Sequence, residues 1–192
     1  MTQAEELWQA YDEQGEPIAD SGLTKPQARS GILHGASHVW VWRRTRNEVE
    51  ILLQKRAGGK HTWPGYYDIS AAGHIDFGET PLQAALRETK EEIGLDVDNT
   101  QPRLLFVHRA NLVNTGQSGV IENEFQWVYG LALEKETAFT HDSEVDLVVW
   151  MKLDGFKQLI DQKIPGKHIV PHGEAYFANL FREISRSKTG QT

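Results

Sequence analysis

One segment near the middle of the chain combines a spaced set of glutamates with the signals of a helix. Between Gly73 and Leu95 the residues follow the pattern G-x5-E-x7-R-E-x2-E-E-x-G. With ordinary residue usage, a match at all of these positions arises in a chain of this length on the order of once in a million. The segment therefore constrains both the local fold and the chemistry, because it gathers carboxylates over a few turns of chain.

The same segment also contains the residues that start and end a helix. Thr80 is a good N-cap, Pro81 suits the first helical position, and Gln83 completes a capping box. Gly94 is a natural C-terminal stop because glycine adopts the left-handed conformation easily. These signals predict a helix over residues 81–93.

Two sides of this helix differ in chemistry. At about 100° per residue, its apolar side is predicted to consist of Leu82, Leu86, Thr89 and Ile93. Three carboxylates with i, i+3 and i+4 spacing are neighbours on another arc: Glu88, Glu91 and Glu92. Like charges at this spacing repel one another, and the alternative interpretation is that the three glutamates only form a solvated acidic surface. The specified loop before the helix, with Gly73, Gly78 and Glu79, favours a site instead.

Clustered carboxylates are suited to a hard cation that must also hold a diphosphate. Mg²⁺ prefers about six oxygen ligands and commonly shares them among carboxylates, phosphates and water. A bound cation neutralises phosphate charge and orients or acidifies an attacking water. Arg87 is expected to orient the carboxylates by a forked hydrogen bond rather than to touch substrate. Gly73 is expected to allow a tight turn that brings a backbone carbonyl close to the metal.

The pattern is that of the Nudix box, so the chain resembles the Nudix hydrolases. That family cleaves diphosphate linkages attached to another group X, with Mg²⁺ or Mn²⁺. In the family, the glutamates that match Glu88, Glu91 and Glu92 are metal ligands, and the group that deprotonates water varies between members. The resemblance thus implies a catalytic set that includes Glu91, Glu92 and Arg87. Thr89 departs from the pattern, since most members have an aliphatic residue there.

Composition excludes several other classes of function. The 192 residues contain no cysteine, which excludes disulfides, thiol nucleophiles and thiolate metal sites and fits a cytoplasmic protein. The formal net charge of −7 argues against broad nucleic-acid binding. The sequence contains no run of about 18 apolar residues, so no membrane span is predicted, and the start of the chain lacks a signal-peptide pattern. A small diphosphate compound is therefore the expected partner.

Alternating and periodic stretches place the remaining elements. Strands are predicted at 7–11, 37–43, 49–55, 104–108, 124–133 and 145–153. Short helices are predicted after Thr24 and at 156–161, and a longer one at 172–187. Such a mixture suits an α/β sandwich with a mixed sheet, and the resemblance implies the Nudix α-β-α fold. We expect a single domain over 1–192: an N-terminal strand and short helix in 1–30, a core over 31–170, and a C-terminal helix and tail in 171–192.

A second resemblance narrows the family. In order, the segments 54–56, 63–65, 68–74 and 122–124 look like the Nudix branch that includes isopentenyl-diphosphate isomerase. In that isomerase, the residues that match His34, His74, Glu122 and Glu124 help to bind a divalent metal. The isomerase also needs a cysteine, whose position is Ala72 here. Because alanine transfers no proton and the glutamates of the box are retained, we expect an isomerase-like scaffold with hydrolase chemistry.

The accessory residues carry two interpretations each. His34, His74 and Glu122 are candidate substrate or phosphate contacts, with ordinary hydrogen-bonding or surface roles as the alternative. Glu124 is a candidate further metal ligand or water-orienting base. Two cations before the box, Arg56 and Lys60, are surface residues when taken singly, but near a diphosphate one of them is expected to neutralise the distal phosphate.

Three functions remain open at this point. The first is a metal-dependent hydrolase of a nucleoside diphosphate-type or related small substrate. The second is an isomerase of the isopentenyl-diphosphate kind, and the third is a noncatalytic module that binds a nucleotide. A loop glutamate acts as the base in some Nudix enzymes, which makes Glu144 a minor candidate beside a surface or capping role. Nudix folds often dimerise, so a homodimer is one option by analogy.

Overall fold

A mixed β-sheet with helices on both faces forms the body of the molecule. The computed structural model describes residues 6–46, 48–60, 62–113, 121–134, 137–141 and 143–187. Its strands are β1 (Leu7–Tyr11), β2 (Pro17–Thr24), β3 (His34–Arg44), β4 (Val49–Arg56), β5 (Tyr67–Asp68), β6 (Ala71–His74), β7 (Arg103–Val113), β8 (Ile121–Leu133) and β9 (Val145–Lys152). Its helices are α1 (Lys25–Ala28), α2 (Pro81–Ile93), α3 (Leu153–Ile160) and α4 (Glu174–Arg186).

Strand β3 is the organising strand of the sheet. It pairs antiparallel with β1, β4 and β6 and parallel with β8. The parallel register runs from His34 opposite Glu124 to Arg43 opposite Leu133. Strand β4 continues the sheet to β5 and β9, while β8 carries β7. This pairing places the start of β3 beside the acidic start of β8, although about 90 residues of chain separate them.

Side chains alternate across β3 and divide the core into two layers. His38, Trp40 and Trp42 share one face with the buried side chains of α3 and α4, and we call it the α4 face. Val39 and Val41 lie on the opposite face against α2, and we call it the α2 face. The predicted α/β sandwich with a mixed sheet is therefore confirmed. None of the described helices has the length and apolar character to span a membrane.

The predicted helix of the acidic segment is confirmed at both ends. Helix α2 spans Pro81–Ile93, and the Gln83 amide N–H donates to the Thr80 hydroxyl at 3.3 Å. The Thr80 N–H donates in return to the Gln83 side chain at 2.9 Å, which closes the capping box. Gly94 ends the helix in the left-handed region with a φ of 68°.

The packing face of α2 differs from the predicted one. Its buried residues are Ala84, Ala85, Thr89, Glu92 and Ile93, whereas Leu82 and Leu86 are only half-buried. The small side chains let the helix lie close to the sheet, so periodicity located the face but not the residues nearest its centre. Thr89 fits there because its hydroxyl donates to the Ala85 carbonyl at 2.6 Å.

Most other elements agree with the prediction within a few residues, but three strands were missed. β2, β5 and β6 carry no clear alternation, and β6 is only four residues of small side chains and a histidine. The C-terminal helix begins at Glu174 because Gly173, with a φ of 91°, precedes it. The expected turn at Asn47 lies outside the described residues.

Two glycines with the same backbone conformation allow a test of the α2 terminus. A Cβ on Gly94 would lie 1.9 Å from the Thr140 hydroxyl and 3.0 Å from its carbonyl oxygen. Gly166 has a φ of 69° and open space around the same position. We expect Gly166→Ala to destabilise the protein by about 1 kcal/mol, the cost of a left-handed alanine. Gly94→Ala should cost clearly more in urea unfolding, and equal losses would contradict a role for the contact with Thr140.

Candidate active site

The carboxylates of α2 line a cavity that is almost wholly acidic. The cavity has a volume of about 350 Å³. Its walls are formed by Glu6, Asp76, Arg87, Glu88, Glu91, Glu92 and Glu144. A single guanidinium thus faces a majority of carboxyl groups, and such an excess of negative charge suits a cation. We call this space the acidic cavity.

Arg87 holds the carboxylates of the acidic cavity in place. Its guanidinium donates to both oxygens of Glu79, at 3.2 and 2.9 Å, and to Glu88 at 2.5 Å. It also donates to the His74 carbonyl at 3.0 Å and contacts Glu91 at 3.4 Å. Burial acts to lower the pKa of Arg87, but the bonds to Glu79 and Glu88 raise it above its ordinary value. Arg87 therefore stays charged and is occupied by protein acceptors.

Gly73 makes room for a carboxylate. A Cβ at this position would lie 1.9 Å from Oε1 of Glu88, so the Glu88 side chain rests against the bare glycine backbone. The sequence prediction of a tight turn at Gly73 is wrong, because the residue lies inside strand β6. Glycine is needed at this position because a side chain would collide with Glu88, and not because the backbone must adopt an unusual conformation.

Glu92 is buried under two donors that the sequence did not reveal. The Gln54 side chain donates to its Oε2 at 3.0 Å, and the Ala72 N–H donates to the same oxygen at 2.8 Å. Burial raises the pKa of Glu92 to about 8, against the Ala72 hydrogen bond, and burial also raises the pKa of Glu88 to about 7. Both groups thus hold protons closer to neutral pH than ordinary carboxyl groups do.

Four further candidates meet on the other side of β6. The ligand atoms of His34, His74, Glu122 and Glu124 all lie within 4.8 Å of one another. Nε2 of each histidine lies 3.5 Å from Oε1 of Glu124. We call this group the histidine–glutamate cluster. The structure places Glu124 here rather than among the carboxylates of the acidic cavity.

The chemistry of this cluster fits a divalent metal. Nδ1 of His34 donates to the Ile32 carbonyl at 2.8 Å, which leaves a lone pair on Nε2 in the neutral ring. Within the described part of the chain, this Nε2 and Oε2 of Glu122 are buried without a hydrogen-bond partner. Burial acts to raise the pKa of Glu124, but its interactions with His34 and His74 outweigh burial and hold that pKa well below its usual value. An ionised carboxylate and an imidazole nitrogen with an unused lone pair are both suitable ligands for a divalent metal.

The two groups lie back to back across a single strand. Successive residues of a strand point to opposite faces, so Gly73 meets Glu88 on the α2 face while His74 joins the cluster on the α4 face. Trp8 stacks on the His74 ring with centroids 3.5 Å apart and fixes its plane. Nothing in the sequence pattern singled out Trp8 for this contact.

The two predicted phosphate-binding cations are both paired. Arg56 donates to Asp68 at 2.9 Å and to the Thr62 carbonyl at 3.1 Å, so its charge is already matched by a buried carboxylate. Lys60 contacts Glu144 at the edge of the acidic cavity. Glu144 thus lies in the cavity wall. Ser143 and Glu144 form a turn directly before β9.

Known proteins share both the sequence and the fold. Residues 34–172 match the family described as NUDIX domain. The chain is 34% identical over 169 residues to Nudix hydrolase 3 of Arabidopsis thaliana, over 84% of this chain but 21% of that protein. It is 30% identical over 147 residues to the isopentenyl-diphosphate Delta-isomerase of Corynebacterium diphtheriae, which covers 77% of this chain and 79% of that protein.

A solved structure supports the fold assignment. A Nudix hydrolase from M. smegmatis superposes with a TM-score of 0.58 at 20% identity, over 96% of this chain and 98% of that one. At this identity the likeness concerns the fold alone.

The raised pKa values of the cavity carboxyls predict how stability changes with pH in the presence of a chelator. In the unfolded chain these groups ionise near 4.5, whereas the folded protein keeps their protons up to about 7 and 8. The folded state therefore binds more protons in this window, and the free energy of unfolding should fall as pH rises from 6.5 to 8, by up to about 1.4 kcal/mol per pH unit for each group.

Glu92→Gln should flatten this dependence, because glutamine keeps the shape without the titration. Glu183→Gln, which changes a buried glutamate of α4, serves as the control and should retain the slope. Urea unfolding at several pH values measures both. An unchanged slope in Glu92→Gln would show that Glu92 is already ionised in the folded protein.

Proposed function

The chain belongs to the Nudix hydrolase family, and from this premise we propose that it hydrolyses a diphosphate linkage in a small nucleoside diphosphate-type or related substrate. The observation that carries the proposal is the acidic cavity, in which Glu88, Glu91 and Glu92 face one another. We propose these three glutamates as the ligands of Mg²⁺ or Mn²⁺. The cation, when bound, neutralises phosphate charge and lowers the pKa of a water nucleophile.

The other residues around the acidic cavity are proposed either to hold its carboxylates in place or to contact phosphate. Arg87 fixes Glu88 from one side, and Gln54 with the Ala72 N–H fixes Glu92 from the other, so the carboxylates keep their spacing as protons leave and a cation enters. Lys60 stands at the rim, where it can meet the distal phosphate. Arg56 is better described as the partner of Asp68 than as a phosphate contact.

Two carboxylates are candidates for the general base. Glu91 is the most exposed of the three helix glutamates, with 58% of its side chain accessible. For Glu144, the hydrogen bond from Lys60 lowers the pKa despite burial, so the group is ionised at neutral pH and able to accept a proton. Glu124 is better placed as a metal ligand of the histidine–glutamate cluster than as the base of the acidic cavity.

We further propose the histidine–glutamate cluster as a second divalent-metal site. Two imidazoles and two carboxylates support it, and two of their atoms, Nε2 of His34 and Oε2 of Glu122, are buried without a hydrogen-bond partner among the described residues. In this role His34, His74 and Glu122 bind the substrate indirectly, through the cation, rather than by direct contact with phosphate.

The composition bears on location and partners. With its acidic net charge and no cysteines, the protein is proposed to act in the cytoplasm on small molecules rather than on nucleic acid. By analogy with the family, it is also proposed to form a homodimer.

The isomerase reaction is the second candidate, because the cluster resembles the metal-binding residues of that branch. The methyl group of Ala72 stands where the isomerase has its cysteine, and it cannot transfer a proton. Incubation with isopentenyl diphosphate in D₂O and Mg²⁺ separates the two: the hydrolase proposal expects no deuterium in the recovered substrate, and incorporation would establish isomerisation. Tight diphosphate binding without turnover would instead identify a noncatalytic module.

A screen of diphosphate compounds in Mg²⁺ and Mn²⁺, with products identified by mass, tests the main proposal. We expect release of phosphate or a monophosphate, and a fall of about 100-fold or more in Glu92→Gln because the buried ligand is lost. Lys90→Gln, an exposed change on the same helix, is the matched control and should keep full activity. Activity that survives both Glu92→Gln and chelation would overturn the proposal.

A further inference from the structure

A chain of three buried side chains fixes the proton of His38 on the α4 face. The Trp40 indole N–H donates to the Tyr176 hydroxyl at 2.9 Å, and this hydroxyl lies 2.9 Å from Nδ1 of His38. Indole is only a donor, so the hydroxyl accepts there. Its single hydrogen must then go to Nδ1, because otherwise a buried hydroxyl proton would have no acceptor among the described residues.

The remaining nitrogen of His38 therefore carries the hydrogen. In a neutral imidazole one nitrogen accepts and the other donates, so Nε2–H is the donor. Burial and, to a smaller extent, nearby His172 lower the pKa of His38 to about 3 against the pull of Glu124 and Asp68. His38 thus presents one oriented N–H and no charge across the physiological pH range.

Gln126 carries a buried polar atom on the same face that lacks a partner among the described residues. Gln126 is 3% exposed, and its Nε2 donates to Glu124 at 2.8 Å, which fixes the direction of the amide. Its Oε1 is buried without a hydrogen-bond partner in the described chain. The α4 face therefore holds a fixed donor on β3 and a fixed acceptor on β8.

Small side chains lie beside these two groups, on β3 and on β6. Ala36 is opposite Gln126 in the β3–β8 register, and Ala72 is opposite His38 in the β3–β6 register. His38 lies about 13 Å along β3 from His34 of the histidine–glutamate cluster, at 3.3 Å per residue. Between the histidine–glutamate cluster and His38, this surface of the sheet therefore carries the methyl groups of Ala36 and Ala72.

Ala72 connects this surface to the acidic cavity. Its N–H binds Glu92, while its side chain lies on the α4 face opposite His38. Among the described strands β6 pairs only with β3, and the Ala72 N–H at its other edge is bonded to the Glu92 side chain instead of to a strand. A diphosphate bound at Glu92 is thus next to an edge that no described strand covers, and in the arrangement proposed below its attached group passes this edge to lie over Ala72.

We propose that His38 and Gln126 determine specificity by binding the group X of the diphosphate substrate, through the Nε2–H of His38 and the Oε1 of Gln126. This pair selects a planar, neutral group that presents an acceptor and a donor on one edge, as the lactam edge of a nucleobase does. Tyr176 is a positioning residue that acts through His38. The assignment rests on the proposed hydrolase function.

The functional test compares GDP and UDP, which carry a lactam edge, with dimethylallyl diphosphate, whose attached group is apolar, and with inorganic pyrophosphate. The wild-type protein should favour the two nucleotides by kcat/KM. In His38→Phe the preference for GDP over pyrophosphate should fall about 10-fold, mainly through KM, as expected for one lost hydrogen bond. His168→Phe, an exposed histidine, is the matched control and should keep the preference.

A preference for dimethylallyl diphosphate, or an unchanged preference in His38→Phe, would overturn the assignment while leaving hydrolysis intact. Absence of hydrolysis with every compound would instead refute the proposed function. Nitrogen-15 NMR of the imidazoles gives an independent readout on the wild-type protein. It should show His38 as the Nε2–H tautomer with no titration between pH 5.5 and 8, and a loss of this fixed tautomer in Tyr176→Phe. Detection of Nδ1–H in the wild type would overturn the assignment whatever the activity.

Discussion

The arrangement of the acidic cavity depends on the hydrogen bonds and the positive charge of the Arg87 guanidinium. One guanidinium binds the loop carboxylate Glu79, the helix carboxylate Glu88 and the carbonyl of His74, and so ties loop, helix and strand to one point. Carboxylates brought this close repel one another, and removal of one partner from a buried ion pair typically costs 3–5 kcal/mol. The glutamate side chains can converge because a permanent positive charge stands among them, and the carboxyl groups around it still outnumber that charge.

The two acidic groups of the molecule handle their charge in opposite ways. In the acidic cavity, burial raises the pKa values of Glu88 and Glu92, so the site stores protons. In the histidine–glutamate cluster, the imidazoles keep Glu124 ionised despite its burial. A cation bound at the first group, as proposed, would displace protons, whereas the second group offers a carboxylate that is already charged. The two groups should therefore differ in how their metal affinity depends on pH.

Sequence reasoning was accurate where the determining signals are local. Helix α2 has its cap, first-turn proline and terminal glycine within the segment itself, so its ends could be predicted. Strand β6 could not, because Ala71–His74 has no alternation and becomes a strand only by pairing with β3. The meeting of His34 with Glu124 follows from the parallel register of β3 and β8, which no local pattern encodes. Gln54, His38 and Tyr176 are single residues whose importance depends on three-dimensional neighbours alone.

Strand β6 has a further consequence for how the protein can change over evolutionary time. A slip of one residue in a strand exchanges its two faces. In β6 this would bring a side chain against Glu88 and at the same moment turn the His74 ring away from Glu124. An insertion within residues 71–74 would produce such a slip. The register of β6 thus positions the acidic cavity and the histidine–glutamate cluster together. A substitution can remove a ligand from either group, but the register that positions both groups stays the same.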